Sequence, residues 1–579
     1  MLQLDEISFH INQDGGTKAL LDKVTLQIPA GHFMAIVGPS GCGKTTLLKT
    51  IAGINPESEG AIYYDGRNLA EEGDLEPHEI GYVPQFSIAY DELTVDESIE
   101  AAARLRVRTK NAQELDTLLD RVLHETGLTE IADRPVSVLS GGQKRRLGLA
   151  MELVSSPKLL LADEVTSGLD PRSEREIVHL LHDLSRQEGR TVISVTHSLA
   201  HLELYDSLLV LHEGRVAYHG PPSGVTHYFS VDDTEEVYPT LAQRDSEGWK
   251  SSWDKHRARY QAKLDEKRAG LIEKGELQLP PDEVEEEDET RPIRKSPGFF
   301  AQFATLLGRR WRIFSRDRAQ IILQFALIVG FPILVALFSP RANEQGKRLS
   351  SSLSENAIEE MTQRAEVRES QLKVGSANSG IIMFQVVLLC LMGSNNAARE
   401  VAAERRIVEK EKFGGLSPAA YLAAKAAYLA VLVLVQSLWM GFFVEYFWKF
   451  RGDFTTHLGF LVLVNAAMTS ICLGISAQAK SAEQASLLSI YLVGFQLPLS
   501  GAVLALPAAV EPLTRPFISA YWAWSGSISA LSTETYSAIK GVTETTLSPE
   551  RVCLFLLASH LLIGLVVAFL GLNRPKWEH

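Results

Sequence analysis

The C-terminal half of this 579-residue chain carries six long apolar runs, which restrict the fold more than any other feature of the sequence. Each run is long enough, or nearly so, to cross the ~30 Å hydrocarbon core of a bilayer as a helix. Six such runs in succession exclude a soluble fold for this half, because soluble core helices rarely stay uncharged for so long. We predict spans at about 319–338, 376–398, 424–444, 458–479, 484–506 and 552–572.

Basic residues predict which ends of these spans face the cytoplasm. Arg309–Arg318 precedes the first span, and the basic segment Arg399–Lys412 follows the second. An even number of spans returns the C-terminus to the starting side, and the positive-inside rule places both basic segments inside. The first ten residues, MLQLDEISFH, lack a basic region followed by an apolar one, so no cleavable signal peptide is expected. The chain is therefore expected in the cell membrane as a multi-pass protein, with the N-terminal domain and both termini cytoplasmic.

Two segments of the membrane half fall outside the six spans. Residues 339–373 form a predicted external loop, whose role the sequence leaves open. Residues 516–533 are free of charge but too polar and aromatic for a comfortable seventh span. Because Trp522 and Trp524 suit a membrane–water interface, we predict a re-entrant or interfacial segment there.

Charge and composition divide the rest of the chain. The formal net charge is −14, which argues against nucleic acid as a partner, since backbone binding needs clustered Lys and Arg. The four cysteines show neither metal-site spacing nor a disulfide framework. Residues 1–232 are predicted to form a soluble domain and 298–579 the membrane domain. Between them, 233–297 is predicted to be a charged, partly disordered linker, because Pro281–Glu289 has seven carboxylates in nine residues.

A glycine-rich segment of the soluble domain fits the phosphate-loop pattern G-x-x-x-x-G-K-[ST]. It follows a strand-like apolar run and precedes a helix-like one, which makes a chance glycine turn a poor alternative. Backbone amides would surround phosphate oxygens, Lys44 would reach the β- and γ-phosphates of a nucleotide, and the Thr45 hydroxyl would bind Mg²⁺. The predicted nucleotide-binding residues are Gly38, Pro39, Ser40, Gly41, Cys42, Gly43, Lys44, Thr45 and Thr46.

The run LLLADE ends in two carboxylates, Asp163 and Glu164. Four apolar residues before them predict a buried parallel strand, and ligands bind at the C-terminal ends of such strands. Asp163 would hold Mg²⁺, and Glu164 would act as general base beside the attacking water. A solvated acidic turn is the alternative, and the phosphate loop in the same domain argues against it.

Three more residues complete the predicted site. Gln85 ends IGYVPQ and would contact Mg²⁺ and water, although a lone glutamine after a strand is usually a loop residue. His197 ends TVISVTH and would sense the γ-phosphate, although a histidine at a strand end is more often structural. Asp170, in SGLD, would reach toward a second molecule.

A second candidate phosphate loop is LSGGQ, at Leu139–Gln143. Ser140, Gly141, Gly142 and Gln143 stand at the start of a helix-like stretch, where backbone amides favour an anion. The alternative is a serine helix cap after a glycine turn, and both interpretations can hold together.

These motifs, in this order, resemble those of ATP-binding cassette (ABC) transporters. The resemblance implies an α/β P-loop NTPase domain with a RecA-like core, an antiparallel β subdomain and an α-helical subdomain. It implies ATP and Mg²⁺ as cofactors, with catalysis by Glu164 and His197. In the family, LSGGQ caps ATP held by a second nucleotide-binding domain, so one chain carries two half-sites. A second half-transporter, expected to be an identical chain, would therefore complete each ATP site.

The domain order and several local sequence segments resemble those of subfamily G half-transporters. AAERRIVEKEKFGGLSPAAYLAAKAAY is similar to the segment between their second and third spans, and YHGPPSGVTHYF to the end of their nucleotide-binding domain. The resemblance implies an all-α membrane domain with six spans, of the ABC-2 or type V exporter kind. Two departures are Val165, where members often have proline, and Ile11, where an aromatic residue often stacks on adenine.

The implied function is ATP-driven export of an amphipathic, lipid-like or drug-like substrate by a dimer in the lipid bilayer. Phe384, Phe495 and Gln496 are candidates to line the substrate path, with ordinary helix packing as the alternative. Another interpretation is an ABC-type membrane ATPase that transmits a signal or gates a pathway without moving a substrate itself.

Overall fold

The chain divides into two compact units. The computed structural model describes residues 1–13, 16–73, 75–85, 89–187, 189–274, 277, 296–337, 357–502, 506–507 and 509–574, without the side chains of 12, 13, 357–367 and 370. Unit 1 comprises Met1–Ala301 together with the short segment Lys410–Leu416. Unit 2 comprises Gln302–Glu409 and the described chain from Ser417 onward.

Unit 1 contains two sheets. The first is antiparallel, with strand order β2–β1–β4–β5. The second has the order β10–β9–β3–β8–β7–β6, in which only the pair β9–β10 is antiparallel. Strands β3, β7 and β8 are buried over their whole length, as expected of parallel strands covered on both faces. The strands are β1 Leu2–Gln13, β2 Gly16–Ile28, β3 Phe33–Val37, β4 Glu59–Tyr64, β5 Arg67–Asn68, β6 Ile80–Val83, β7 Leu159–Asp163, β8 Thr191–Val195, β9 Ser207–His212 and β10 Arg215–Gly220.

The helices of unit 1 start at well-defined caps. Thr94 and Ser140 each form a capping box with the third residue of the helix that follows, and Asp170 caps its helix with Pro171 in the first position. These caps fix where the chain enters the helices around the second sheet. The helices are α1 Lys44–Ile51, α2 Leu69–Glu72, α3 Val95–Arg106, α4 Ala112–Glu125, α5 Gly141–Leu153, α6 Pro171–Arg186, α7 Val225–Phe229, α8 Val237–Leu241 and α9 Ser246–Glu273.

The segment predicted as a linker from residue 233 onward is largely ordered and belongs to unit 1. Helix α9 packs on β10, and its Trp249, Trp253 and Tyr260 are buried. The Trp249 indole donates to the Leu241 carbonyl oxygen at 3.0 Å, which ties α9 to α8. The acidic run Pro281–Glu289 lies outside the described residues. The sequence prediction of a domain boundary at 232 is therefore wrong in position, because three buried aromatic side chains attach this polar helix to the domain.

Unit 2 is helical throughout its regular elements. Five of its helices are long and apolar enough to cross a membrane, counted over the described residues. The helices from residue 299 onward are α10 Phe299–Arg316, α11 Arg318–Leu337, α12 Ala357–Ala397, α13 Arg405–Phe413, α14 Pro418–Trp448, α15 Phe454–Gln478, α16 Ala482–Gln496, α17 Glu511–Thr514, α18 Ser519–Ser529, α19 Thr533–Lys540 and α20 Glu550–Asn573.

Three details of the membrane half differ from the sequence predictions. The span predicted at 484–506 is a helix only over Ala482–Gln496, because Pro498 starts a 3₁₀ turn soon afterwards. The predicted external loop 339–373 is helical from Ala357, where α12 begins, and 338–356 lie outside the described residues. The segment 516–533 contains α18, whose residues 519–528 are all buried, so Trp522 and Trp524 pack inside the protein.

Polar side chains connect the helices inside unit 2. The buried amides of Gln324, Asn396, Gln436 and Asn465 bond one another across α11, α12, α14 and α15 at 2.8–3.1 Å. Such bonds hold helices together where lipid provides no hydrophobic force between them. A second network is ionic: the Glu400 carboxylate accepts from Arg310 at 2.6 Å and from Lys425 at 2.9 Å. Each of these buried charges therefore has an oppositely charged partner within reach.

We expect the Trp253→Ala variant to lower the free energy of unfolding of unit 1 by about 3–5 kcal/mol, because it opens a cavity in the aromatic layer under α9. Trp253 is 4% exposed and touches the rings of Tyr218 and Tyr228. Thermal unfolding of the purified chain, followed by circular dichroism, measures the effect. Ile272→Ala on the same helix is the control, because that side chain is 40% exposed. Equal unfolding temperatures for the two variants would contradict the packing of α9.

Candidate active site

The glycine-rich turn after β3 has the geometry of an anion-binding loop. Gly38 and Gly43 have φ of 151° and 104°, and a Cβ on Gly38 would lie 2.4 Å from the Leu211 carbonyl oxygen. Only glycine fits at Gly38. The Lys44 ammonium is buried and donates to the Gly38 and Pro39 carbonyl oxygens at 3.0 and 3.1 Å. Helix α1 starts at Lys44 with no side-chain cap, so its first amides point toward the space an anion would fill.

The first predicted carboxylate, Asp163, ends β7 beside this loop. Its Oδ1 accepts from the Thr45 hydroxyl at 3.0 Å, and its Oδ2 accepts from the Tyr82 hydroxyl at 3.2 Å. Burial raises the pKa of Asp163, and the two hydrogen bonds oppose that rise. The structure thus brings Thr45 and Asp163, which the sequence assigned to a metal, into direct contact.

The second carboxylate, Glu164, bonds to two other predicted site residues. The Gln85 amide donates to Glu164 Oε2 at 2.8 Å, and His197 Nε2 lies 2.5 Å from Glu164 Oε1. Glu164 has a φ of 47°, rare for a residue with a side chain, and its amide donates to the Val195 carbonyl oxygen at 3.0 Å. Arg145 donates to the Gln85 backbone oxygen and so fixes the loop after β6. The turn therefore aims Glu164 at the residues that follow β6 and β8.

The donor set fits Mg²⁺ held together with a phosphate. Thr45, Asp163 and Gln85 offer a hydroxyl, a carboxylate and an amide oxygen, the ligand types that Mg²⁺ prefers. Within the described ranges, no three or more His, Cys, Asp or Glu side chains cluster to cage a metal. Mg²⁺ usually keeps water and phosphate ligands rather than a full protein cage, so this small set is sufficient.

The second candidate loop stands at the surface. The Ser140 hydroxyl oxygen accepts from the Gln143 amide at 3.3 Å, and the Gln143 side chain accepts from the Ser140 amide at 2.9 Å. Asp170 accepts from two backbone amides at the start of α6 and is also exposed. Among the described residues, neither Ser140 nor Asp170 hydrogen-bonds to the Gly38–Thr45 loop. The hydrogen bonds of both residues therefore serve as helix caps and do not connect to the phosphate loop within the described residues.

Models of two protein families match parts of the chain. Residues 21–167 match the sequence model of the ABC transporter family, and residues 301–522 match that of the ABC-2 type transporter. The ferric enterobactin transport ATP-binding protein FepC of Escherichia coli is 33% identical over 230 residues, covering 38% of this chain and 83% of its own. The chain belongs to the ABC transporter family.

Two further relatives extend the likeness. The ABC transporter ATP-binding/permease protein Rv1747 of Mycobacterium tuberculosis is 30% identical over 540 residues, which cover 91% of this chain. The chain spans 57% of that relative's length. ABC transporter G family member 23 of Dictyostelium discoideum is 32% identical over 241 residues, covering 41% of this chain and 34% of its own. The ABC domain followed by the helical ABC-2 domain makes the chain a multi-pass membrane protein of half-transporter organisation.

The candidate substrate-path residues of the transporter do not share one environment. Phe384 is half-buried on α12, and Phe495 on α16 is 58% exposed. Gln496 is 1% exposed, and its side-chain oxygen accepts from the Ala520 amide at 3.0 Å. Gln496 thus holds the start of α18, and a path-lining role for it stays a prediction.

Two tyrosines that contact the site belong to no sequence motif. The Tyr82 hydroxyl binds Asp163, as described above, and the Tyr238 hydroxyl donates to the His197 carbonyl oxygen at 3.3 Å. Burial raises the pKa of Tyr238 to about 12, against a hydrogen bond from the Gly38 backbone. Tyr238 lies in α8, within the segment predicted to be a linker, so no local motif marks it.

A buried ion cluster in unit 1 was also missed. The Glu152 carboxylate, at the end of α5, accepts from two Arg106 nitrogens at 2.6 and 3.0 Å and lies 3.1 Å from the Lys410 ammonium. All three side chains are at most 5% exposed. Burial acts against ionisation of Glu152, but Arg106 and Lys410 hold its pKa below the usual value. Helix α5, which begins at the Ser140 cap in the LSGGQ motif (Leu139–Gln143, the signature residues below), is therefore bonded to the segment Lys410–Leu416.

We expect Glu152→Gln to lower the free energy of unfolding of unit 1 by about 3–5 kcal/mol, because it leaves two buried cations without a counter-charge. Thermal unfolding of the purified transporter measures the loss. Glu100→Gln is the matched control: Glu100 pairs with Arg104, which is 49% exposed, and such pairs contribute little. An unfolding temperature for Glu152→Gln as high as that of the control would show that the cluster is not important for stability.

Proposed function

We propose that the chain is half of an ATP-driven exporter that works as a dimer of identical chains. One observation supports this best. Glu164, Gln85 and His197 meet beside a phosphate loop. The signature residue Ser140, in contrast, is exposed at the start of helix α5 and makes no hydrogen bond to that loop among the described residues. A nucleotide on Gly38–Thr45 would thus have a base at hand but no signature residue from its own chain.

ATP binding is assigned to the Gly38–Thr46 segment. The amides of the loop and of the first turn of α1 would hold the β- and γ-phosphates, and Lys44 would leave its two carbonyl partners to neutralise them. Mg²⁺, when bound, neutralises phosphate charge. Thr45, Asp163 and Gln85 would hold it.

Hydrolysis is assigned to Glu164. As a carboxylate it would accept a proton from a water placed in line with the γ-phosphate, and Gln85 would orient that water. His197, on the other carboxylate oxygen, keeps Glu164 in place and would bond to the γ-phosphate through its ring. The hydrogen bond from the Tyr238 hydroxyl to the His197 carbonyl oxygen would hold the backbone of His197 in position.

Two chains would complete each site. Ser140 and Gly142 of the partner would donate to the γ-phosphate, and Asp170 would lie at the contact between the two ABC domains. Closure around ATP would then draw the two domains together and drive the membrane domains outward-facing. The ABC domains would work in the cytoplasm, since the basic segments flanking the spans favour that side.

The cargo is proposed to be an amphipathic, lipid-like or drug-like molecule. The helices α11, α14, α16 and α20 expose many large apolar side chains, among them Phe325, Phe442, Phe495 and Phe555. A path between two copies would be lined by such side chains, which suits an apolar body with few polar groups.

We expect Glu164→Gln to bind ATP as tightly as the wild type but to hydrolyse it at least ~100-fold more slowly, because the base is lost and the shape is kept. Phosphate release and nucleotide binding by the purified chain are the measurements. Glu203→Gln, at a carboxylate that is 74% exposed, serves as the control and should hydrolyse normally. Wild-type turnover by Glu164→Gln would overturn the assignment of the base.

The two-chain site makes a sharper prediction. Lys44→Ala should abolish hydrolysis in one homodimer, and Ser140→Arg in another. A mixed dimer of the two variants would contain one dead site, with both changes, and one intact site. We therefore expect about half of the wild-type rate per dimer when differently tagged copies are co-purified. No recovery in the mixed dimer would contradict a site shared between chains.

Transport itself needs a separate measurement. Inside-out vesicles containing the wild type should accumulate a fluorescent lipid or amphipathic dye on ATP addition, and vesicles with Glu164→Gln should not. ATPase activity with no flux of any tested lipid or dye would favour a signalling or gating role instead.

A further inference from the structure

Tyr82, on β6, contacts two functionally different parts of unit 1. Its hydroxyl donates to Asp163 Oδ2 at 3.2 Å, and its ring meets that of Phe413 edge to face, with centroids 6.1 Å apart and planes at 68°. The side chain is 2% exposed. One tyrosine thus connects the carboxylate assigned to Mg²⁺ with the end of α13.

The hydroxyl of Tyr82 has the position of a second-layer partner to a metal ligand. Of the two donors on Asp163, Thr45 would itself ligate Mg²⁺ and so would give up its bond to the carboxylate. Tyr82 would then be the remaining donor that fixes the direction of Asp163. Partners of this kind orient the ligands of a metal and raise its affinity.

Phe413 is held firmly on its side of the contact. Lys410, three residues earlier, pairs with Glu152, and a Cβ on Gly414 would lie 2.4 Å from Arg106 Nε. The backbone at Gly414 therefore packs closely against the guanidinium of Arg106, which is itself paired with Glu152. Helix α13 begins in unit 2, whereas its last four residues belong to unit 1. A pull on α13 from the membrane unit would act on Phe413 first and on Tyr82 next.

We propose that Tyr82 is a positioning residue that couples the docking of segment Lys410–Leu416 to the orientation of Asp163, and thereby to Mg²⁺ affinity. The proposal rests on the proposed function, because it assigns a role within the same ATP site. In this scheme, movement of α13 changes how tightly the ABC domain holds the metal. The membrane unit would thus influence the site through one ring contact and one hydrogen bond.

The test measures metal binding in full-length protein that carries Glu164→Gln, so that ATP is not consumed. Mn²⁺ replaces Mg²⁺, and electron paramagnetic resonance in saturating ATP gives its dissociation constant. We expect Tyr82→Phe to weaken Mn²⁺ binding about tenfold, within the range for second-layer partners. ATP binding in excess chelator should change less than twofold, because the phosphate loop is untouched.

A double-mutant cycle tests the link to Phe413. We expect Phe413→Ala alone to weaken Mn²⁺ binding about threefold, and the double variant to match Tyr82→Phe alone, because Phe413 acts only through that hydroxyl. Tyr218→Phe is the matched control: it also removes a buried hydroxyl, which donates to the Pro221 carbonyl oxygen at 2.7 Å, away from the site. The control should bind Mn²⁺ as the parent does.

Two results would overturn the proposal. One is Mn²⁺ binding by Tyr82→Phe within twofold of the parent, and the other is additive weakening in the double variant. Measurements at 4 °C, with folding checked by circular dichroism, separate metal affinity from any loss of stability. If the wild type hydrolysed no ATP while the Mn²⁺ cycle came out as expected, the proposed function would fail and the role of Tyr82 would stand.

Discussion

The parallel register of four neighbouring strands is the constraint on which the site depends. Val83 pairs with Ala162, and Asp163 pairs with Val195, so β6, β7 and β8 end within a residue of one another. The phosphate loop follows β3, which is hydrogen-bonded to β8. Four loops from distant parts of the chain therefore meet at one edge of the sheet. Hydrogen bonding of the backbone, rather than any side chain, places Gln85, Asp163, Glu164 and His197 together.

The buried Glu152 carboxylate of unit 1 lies within reach of two opposite charges, Arg106 and Lys410. Glu152, at 0% exposure, would not stay ionised at acceptable cost without its two cations. Lys410 supplies one of them from a segment 258 positions later in the sequence. The requirement to neutralise Glu152 thus joins α5, which carries the signature residues at its start, to the end of α13. The charge of Glu152 thus favours contact with these particular cationic segments, whereas hydrophobic burial alone would not distinguish them from other apolar segments.

Local sequence patterns predicted the strand and the loop that carry the candidate site residues. An apolar run ending in polar residues fixes β7 with Asp163 and Glu164, and the glycine spacing fixes the loop before Lys44. Tyr82 and Tyr238 follow no local pattern, because only tertiary packing brings them to the site. Lys410 meets Glu152 in the buried ion cluster for the same reason. The mistaken linker has the same cause: charged residues surround Trp249, Trp253 and Tyr260, and their average hides a buried aromatic stripe. Helix α16 ends at Gln496 because Pro498 starts a 3₁₀ turn, although the apolar composition of the chain continues beyond it.

The chemistry of a helix cap explains how one exposed serine can serve two purposes. The Ser140 oxygen accepts a hydrogen bond from the Gln143 amide, which satisfies one free amide of α5. Its own proton takes no part in that bond and stays available for an anion brought from outside. Gly141 and Gly142 leave the remaining amides of the first turn accessible, since no Cβ covers them. A cap that is complete within the chain is thus compatible with a phosphate supplied by another, as the proposed dimer requires.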